Sequence, residues 1–273
     1  MRTLTGAATS TNGSSLPAKG GRPSASQFGV MALLEDKISI VIPFYNCRYV
    51  DQALQSAIAQ TYANVEIIVV DDGSSSFKER ILPYRARVRY VEKDNGGTAS
   101  ALNAGIDVAT GKYFAWLSSD DLYRPERLAK QLAFMNRRRA VVSFANYDYI
   151  DARGKVLGRD VGVRLNDTAA LCRYFISGCP VNGCTVLVRS DIFERVGLFD
   201  QTLRFTHDYD LWVRIVLAGY EFPFMAESLV MYRVHNEMTS KVCESLVAAE
   251  SEMAIRRHQG RLTAFVDAMD GAR

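Results

Sequence analysis

Four groups of side chains in this sequence are of types that do chemistry. Two are carboxylate pairs, in Asp71-Asp72-Gly73-Ser74 and in Ser119-Asp120-Asp121. One Asp of such a set can accept hydrogen bonds from a base N–H or from ribose hydroxyls. Another can hold a hard divalent cation, Mg2+ or Mn2+, that bridges and neutralises a diphosphate. The third group is His207-Asp208-Tyr209-Asp210, where an enclosed carboxylate could take a proton from an attacking hydroxyl. The fourth is Tyr232-Arg233-Val234-His235, whose imidazole could meet a metal or a phosphate. Each also has a plainer reading: Asp-Gly makes turns, an Asp at a helix start complements the dipole, and a single His is more often structural.

What gives these groups weight is where the surrounding pattern puts them. Ile38 to Ile42, a β-branched run closed by Pro43, reads as a buried strand, and Val50, Ala53, Leu54, Ala57 and Ile58 fall on one face of a helix. Val65 to Val70 is nearly all apolar, as a parallel strand covered on both faces should be. The alternation continues with a strand at Val88 to Val91, a helix at Thr98 to Val108, a strand at Lys112 to Leu117, and a helix after Pro125 running to about Arg137. Right-handed βαβ units and a parallel sheet follow. Ligands of such sheets bind beyond the carboxyl ends of the strands, where Pro43-Phe44-Tyr45-Asn46 and both carboxylate pairs fall. After Val141 the pattern changes to a strand to Tyr149, a hairpin turn at Asp151 to Gly154, a helix at Thr168 to Phe175, a strand at Thr185 to Arg189, a helix at Asp208 to Leu217 and a short strand ending ahead of Tyr232.

Composition narrows the classes. The 273 residues carry 33 Lys+Arg against 30 Asp+Glu, a net charge of +3, which gives no broad basic face for nucleic acid. No GxxxxGK[ST] loop is present and Asn95-Gly96-Gly97 does not complete GxGxxG, which disfavours phosphate-loop kinases, ATPases and dinucleotide dehydrogenases. The cysteines Cys47, Cys172, Cys179, Cys184 and Cys243 form neither a disulfide framework nor a zinc pattern, as expected of a reducing, cytoplasmic setting. Residues 1–34, rich in Ser, Thr, Gly and Ala, read as a disordered leader, and no run is apolar enough to span a bilayer. Tyr174, Phe175 and Trp212 read as core rather than as sugar-stacking rings.

Taken in order, Ile38 to Asn46, Val69 to Ser74, Asn95-Gly96-Gly97 with Ala101, Asn103 and Gly105, Ser119-Asp120-Asp121, Val196 to Asp200, His207 to Trp212 and Tyr232 to His235 resemble the motifs of the inverting family 2 glycosyltransferases. The resemblance implies an α/β protein of GT-A fold: a Rossmann-like nucleotide-binding half with a mainly parallel sheet, continuous with an acceptor half. The expected divisions are 35–125 and 126–240 within a 35–240 domain, then a helical tail over 241–273 whose Leu246, Ala249, Met253, Arg256 and Arg257 are available for packing or a partner. It implies that Pro43, Tyr45, Asp72, Asn103, Asp120 and Arg233 contact a nucleotide-sugar donor, UDP- or dTDP-linked. Asp121 and His235 would hold Mg2+ or Mn2+, and Asp208 would be the catalytic base. The acceptor, a glycan or lipid-linked hydroxyl, would lie near Gly178 to Cys184. Peripheral membrane association and self-association are left open. His207 stands where a Glu is usual, which keeps a non-catalytic nucleotide-sugar-binding protein as the alternative. A nucleotidyltransferase ranks lower for want of a basic Gly-rich signature.

Overall fold

The run ISIVIPF forms β1 (Ile38–Phe44), almost wholly buried because every residue has a strand beside it and a layer above or below. The expected stop at Pro43 does not occur. In a parallel strand, residues two apart point the same way, and the Val41 carbonyl points toward the next strand by accepting from Leu117 N–H. Pairing on that side ends at Val41, so the missing N–H of Pro43 faces a stretch where no ladder remains.

The computed structural model describes residues 36–165 and 167–271, so the expected leader lies outside the described residues. After β1 come α1 (Val50–Ile58), β2 (Val65–Asp72), 3-10 turns over Lys78–Arg80 and Leu82–Arg87, β3 (Arg89–Lys93), α2 (Thr98–Val108) and β4 (Tyr113–Trp116). The face of α1 that packs inward is Val50, Ala53, Leu54 and Ala57, as its periodicity indicates. Parallel pairing of β1 with β2 and β4, and of β2 with β3, gives the order 3-2-1-4 of a nucleotide-binding half.

The second half contributes β5 (Leu122–Tyr123), α3 (Arg127–Arg138), β6 (Val142–Ile150), β7 (Val156–Gly158), α4 (Thr168–Phe175), β8 (Val186–Arg189), α5 (Ile192–Val196), α6 (His207–Leu217), β9 (Phe224–Arg233), α7 (Thr239–Val242) and α8 (Glu244–Gly271). One nine-stranded sheet spans both halves in the order 3-2-1-4-8-6-9-5, with β7 beside β6. β8 is antiparallel to both β4 and β6, so β6 and its parallel neighbour β9 run with the first four strands. Mixed α/β architecture with a mainly parallel sheet is therefore what the chain adopts. β9 is longer than the sequence pattern indicates and contains Tyr232 and Arg233 rather than preceding them.

α8 packs on α4 and α6 through Ala254, His258, Leu262 and Val266, spaced four apart along one stripe. Leu246 and Met253, expected to pack or to meet a partner, are exposed. Phe175 and Trp212 are fully buried in the core, as expected, whereas Tyr174 is exposed. None of the described helices is long and apolar enough to cross a membrane.

Candidate active site

The ends of β1, β2, β4 and β9 and the start of α6 surround a cleft of about 590 Å3. Pro43 and Tyr45 lie along it where β1 ends, with the Tyr45 ring largely exposed. Asp72, the last residue of β2, is buried beneath it. Its carboxylate accepts from Gly96 N–H at 3.0 Å and Gly97 N–H at 2.7 Å, and from Lys93 Nζ at 2.6 Å. Those bonds fix the Asn95-Gly96-Gly97 turn at the N-terminus of α2, where Gly97 has φ +86°. Asp71 is not exposed to the cleft: it accepts from Ser74 N–H, Tyr90 OH and Lys78. Burial works to raise its carboxyl, but these donors hold it below its ordinary value.

The second carboxylate pair divides its roles. Asp120 keeps 28% of its side chain exposed, and its Oδ2 lies 3.1 Å from His235 Nε2. Asp121, by contrast, is 1% exposed. Its Oδ1 accepts from Arg233 N–H at 2.8 Å, and its Oδ2 is buried without a hydrogen bond. Burial first, and then the neighbouring Asp120 charge, push the Asp121 carboxyl well up. The structure therefore moves the accessible carboxylate of the pair from Asp121, expected as the direct ligand, to Asp120. Asp120 and His235 offer one oxygen and one nitrogen at a spacing that a single six-coordinate cation with bonds of about 2.1 Å can bridge. Among the described residues no three His, Cys, Asp or Glu side chains converge, so most ligands of such a cation would come from the diphosphate and water.

Two expected donor contacts are corrected. Asn103 is buried, and its side-chain amide clamps the backbone of Phe199, donating to the carbonyl at 2.8 Å and accepting from the N–H at 3.0 Å. Arg233 is wholly buried. It donates to the carbonyls of Asp120, Asp151 and Ala152 and to Gln52 Oε1, with its guanidinium 4.5 Å from the Tyr49 ring centroid. Neither side chain lines the cleft; both are struts beneath the site.

From the second half, Asn182, Gly183 and Cys184 reach the cleft, as do Gln201, Leu203, Arg204, Phe205, His207 and Asp208. A Cβ on Gly183 would sit 2.1 Å from Trp116 Cζ3, so only glycine lets this turn lie against the ring. Asp208 is in the first turn of α6, and its Oδ1 accepts from the Tyr209 N–H at 2.8 Å. Burial raises the Asp208 carboxyl above its ordinary value, opposed by His207 and by that N–H. His207 itself is buried between Trp116, at 5.6 Å, and Phe199, at 5.7 Å. Desolvation lowers its imidazole, so it packs as a neutral ring. Lys93 and Arg204 were not singled out by type or spacing, whereas Gly183 falls in the Gly178 to Cys184 segment expected near the acceptor. Glu250, on α8, also touches this region and had no local sequence signal.

The sequence model for glycosyl transferase family 2 matches residues 39–197, more than half of the chain. The chain belongs to glycosyl transferase family 2. An uncharacterized glycosyltransferase of Rickettsia typhi is 40% identical over 212 residues, covering 74% of this chain and 65% of that protein. The chain thus matches somewhat less than two thirds of that relative. A Bacillus subtilis protein, TuaG, named provisionally as a teichuronic acid biosynthesis glycosyltransferase, is 30% identical over 212 residues, covering 74% of this chain and 81% of its own. Among solved structures, Staphylococcus aureus TarS residues 1–349 in complex with UDP-GlcNAc aligns with TM-score 0.61 and 19% identity, over 78% of this chain and 66% of that one. That likeness identifies the GT-A-type fold.

Proposed function

We propose that this family 2 chain transfers a sugar from a nucleoside-diphosphate donor to an acceptor hydroxyl with inversion at the anomeric carbon. The carrying observation is that a single cleft is lined both by Asp72, Asp120 and His235 and by a half-buried carboxylate, Asp208, at a helix N-terminus. Of the remaining acids along the cleft, Asp121 is buried and accepts from Arg233 N–H, and Glu237 is tied to Arg48 at 2.7 Å. Asp208 is therefore the carboxylate placed to act alone, and one base suits a single displacement, whereas a double displacement needs a separate nucleophile.

In this reading Pro43 and Tyr45 flank the nucleoside and Asp72, held by Gly96, Gly97 and Lys93, faces it. UDP is the nucleotide we favour, a choice supported by the UDP and UDP-GlcNAc complexes of the TarS fold relative. Asp120 and His235 would hold Mn2+ in preference to Mg2+, because Mg2+ takes oxygen ligands and an imidazole suits the softer ion. When bound, the ion supplies charge neutralisation for the leaving diphosphate. Asp208 accepts the acceptor's proton, and its raised pKa brings its basicity closer to that task. Trp116 and the 182–184 turn exclude water from the same region. The acceptor we propose is a glycan or lipid-linked hydroxyl, in line with the name carried by TuaG.

Asp208→Asn tests the assignment. A panel of UDP- and dTDP-sugars with Mn2+, read by nucleotide release and by thermal shift, should identify a donor that stabilises the fold. The variant should bind that donor as wild type does while losing about 10^2–10^4-fold in turnover. Near wild-type turnover in the variant would remove Asp208 from the base role. Donor binding by wild type with neither hydrolysis nor transfer would favour a non-catalytic nucleotide-sugar-binding protein.

A further inference from the structure

The first turn of α6 carries Asp208, yet its N-cap residue Thr206 makes no side-chain cap. N–H groups at a helix start need acceptors from elsewhere. Here the N-cap N–H, and those of the two residues before it, are met from a distant helix. Glu250 of α8 takes the N–H of Phe205 and of Thr206, both at 2.7 Å, and Thr206 Oγ1 at 2.8 Å on one oxygen. Its other oxygen takes Arg204 N–H at 2.9 Å. Arg204 and Phe205 are cleft residues, and two positions past Thr206 is Asp208. α8, like Asp208 and the 204–206 turn, lies beyond the span matched by the family model.

The helix that carries Glu250 is itself pinned on both sides of the base. Arg257 meets Asp200 at 2.8 Å, and buried His258 meets buried Asp210 at 2.7 Å. Farther along, Asp270 meets Arg173 of α4 at 2.5 Å. Residues 200, 204–206 and 210 are thus all held from α8, with Asp208 between them. Burial works to raise the Glu250 carboxyl, but the four donors hold it below its ordinary value, so it stays ionised in the clamp.

We propose that Glu250 is a positioning residue for the transfer step: its carboxylate fixes the 204–206 turn and thereby aims Asp208 and sets the acceptor wall. The inference rests on Asp208 being the base. A helix merely propping the fold would need apolar contact and scattered surface pairs. Four hydrogen bonds from one carboxylate to three consecutive residues beside the cleft instead define a backbone position, and small displacements of a catalytic group cost large factors in rate.

The experiment compares full-length wild type, Glu250→Ala, Glu250→Gln and Asp208→Asn, using UDP as binding probe and UDP-N-acetylglucosamine hydrolysis in Mn2+ as turnover probe. Turnover is normalised to the fraction of chains that binds UDP, which removes losses from misfolding. Glu250→Ala should keep its UDP Kd and donor KM within about twofold while kcat falls roughly tenfold or more. Glu250→Gln keeps an acceptor oxygen where three of the four donors converge, and should recover most of kcat. Normalised kcat of Glu250→Ala within twofold of wild type, or a loss confined to donor KM, would overturn the positioning role. An inactive Asp208→Asn beside a fully active Glu250→Ala would overturn Glu250 alone. An active Asp208→Asn would overturn the base assignment, and the Glu250 role with it.

Discussion

Replacing Arg233 by Met separates a strut from a donor contact. The side chain is wholly buried and satisfies three main-chain carbonyls, of Asp120, Asp151 and Ala152, together with Gln52 Oε1. Methionine fills much of the volume but leaves the Asp120 and Ala152 carbonyls and Gln52 Oε1 without their arginine donor, while the Asp151 carbonyl keeps the Gly154 N–H, and it removes the cation beside Tyr49. Each orphaned buried acceptor costs on the order of 1 kcal/mol or more, partly offset because an ion need no longer be desolvated. Loss of one side of a buried charged network falls at roughly 3–5 kcal/mol. For a domain of this size about 2–4 °C accompanies each kcal/mol, so the melting temperature should drop by roughly 6–20 °C. The assay is a thermal melt alongside UDP titration with and without Mn2+. UDP binding should weaken only in the Mn2+ arm, since Arg233 fixes the Asp120 carbonyl and the Asp121 carboxylate rather than a ligand. A variant that melts within 2 °C of wild type but loses UDP affinity equally in both arms would refute the reasoning and restore Arg233 as a donor contact.

Asp120→Asn should weaken Mn2+-dependent UDP binding roughly tenfold or more, whereas Asp121→Asn, at a buried carboxyl bonded to Arg233 N–H, should stay within about threefold by calorimetry. The transfer rate should fall as pH drops through the raised Asp208 value, at a higher pH than an ordinary aspartate would give, and a kcat/KM pH profile checks this. The same raised folded pKa means the carboxyl stabilises the fold fully below its unfolded value and loses that contribution as pH rises through the folded one. Asp208→Asn should accordingly melt above wild type at pH 7. Gly183→Ala forces the Trp116 ring aside and should cost roughly 1–3 kcal/mol in a urea melt, with donor affinity falling too.

The first half of the fold was readable because its strands are covered on both faces and so appear as unbroken apolar runs, β1 and β2 above all. β9 was under-read: Glu227 and Ser228 interrupt it where its pairing with β6 is irregular, and β5 is two residues long and exists through β9. The site divides similarly. Asp72, Asp120, Asp208 and His235 stand in the cleft, and their motifs drew attention to them. Asn103, Asp121 and Arg233 belong to the same motifs, but a motif records which residues travel together, not which of them face a ligand and which hold the others in place. Glu250 had no signature because its partners are main-chain N–H groups 44–46 residues away, and a backbone donor leaves no mark on the residue types that supply it.

The place of β9 in the sheet has a bearing on how the chain is made. Leu122 and Tyr123, just past the Asp120 and Asp121 pair, find their only strand partners at Met231 and Val230, and Arg233 reaches back across 112 residues to Asp121. During synthesis, strands β1 to β4 can assemble as they emerge, while the segment bearing the acidic pair must wait for the far end of the domain. Contacts this distant close slowly. The nascent chain therefore carries an unfinished cleft until residue 233 has left the ribosome, and a ligand that needs the whole cleft can stabilise only chains that have passed that point.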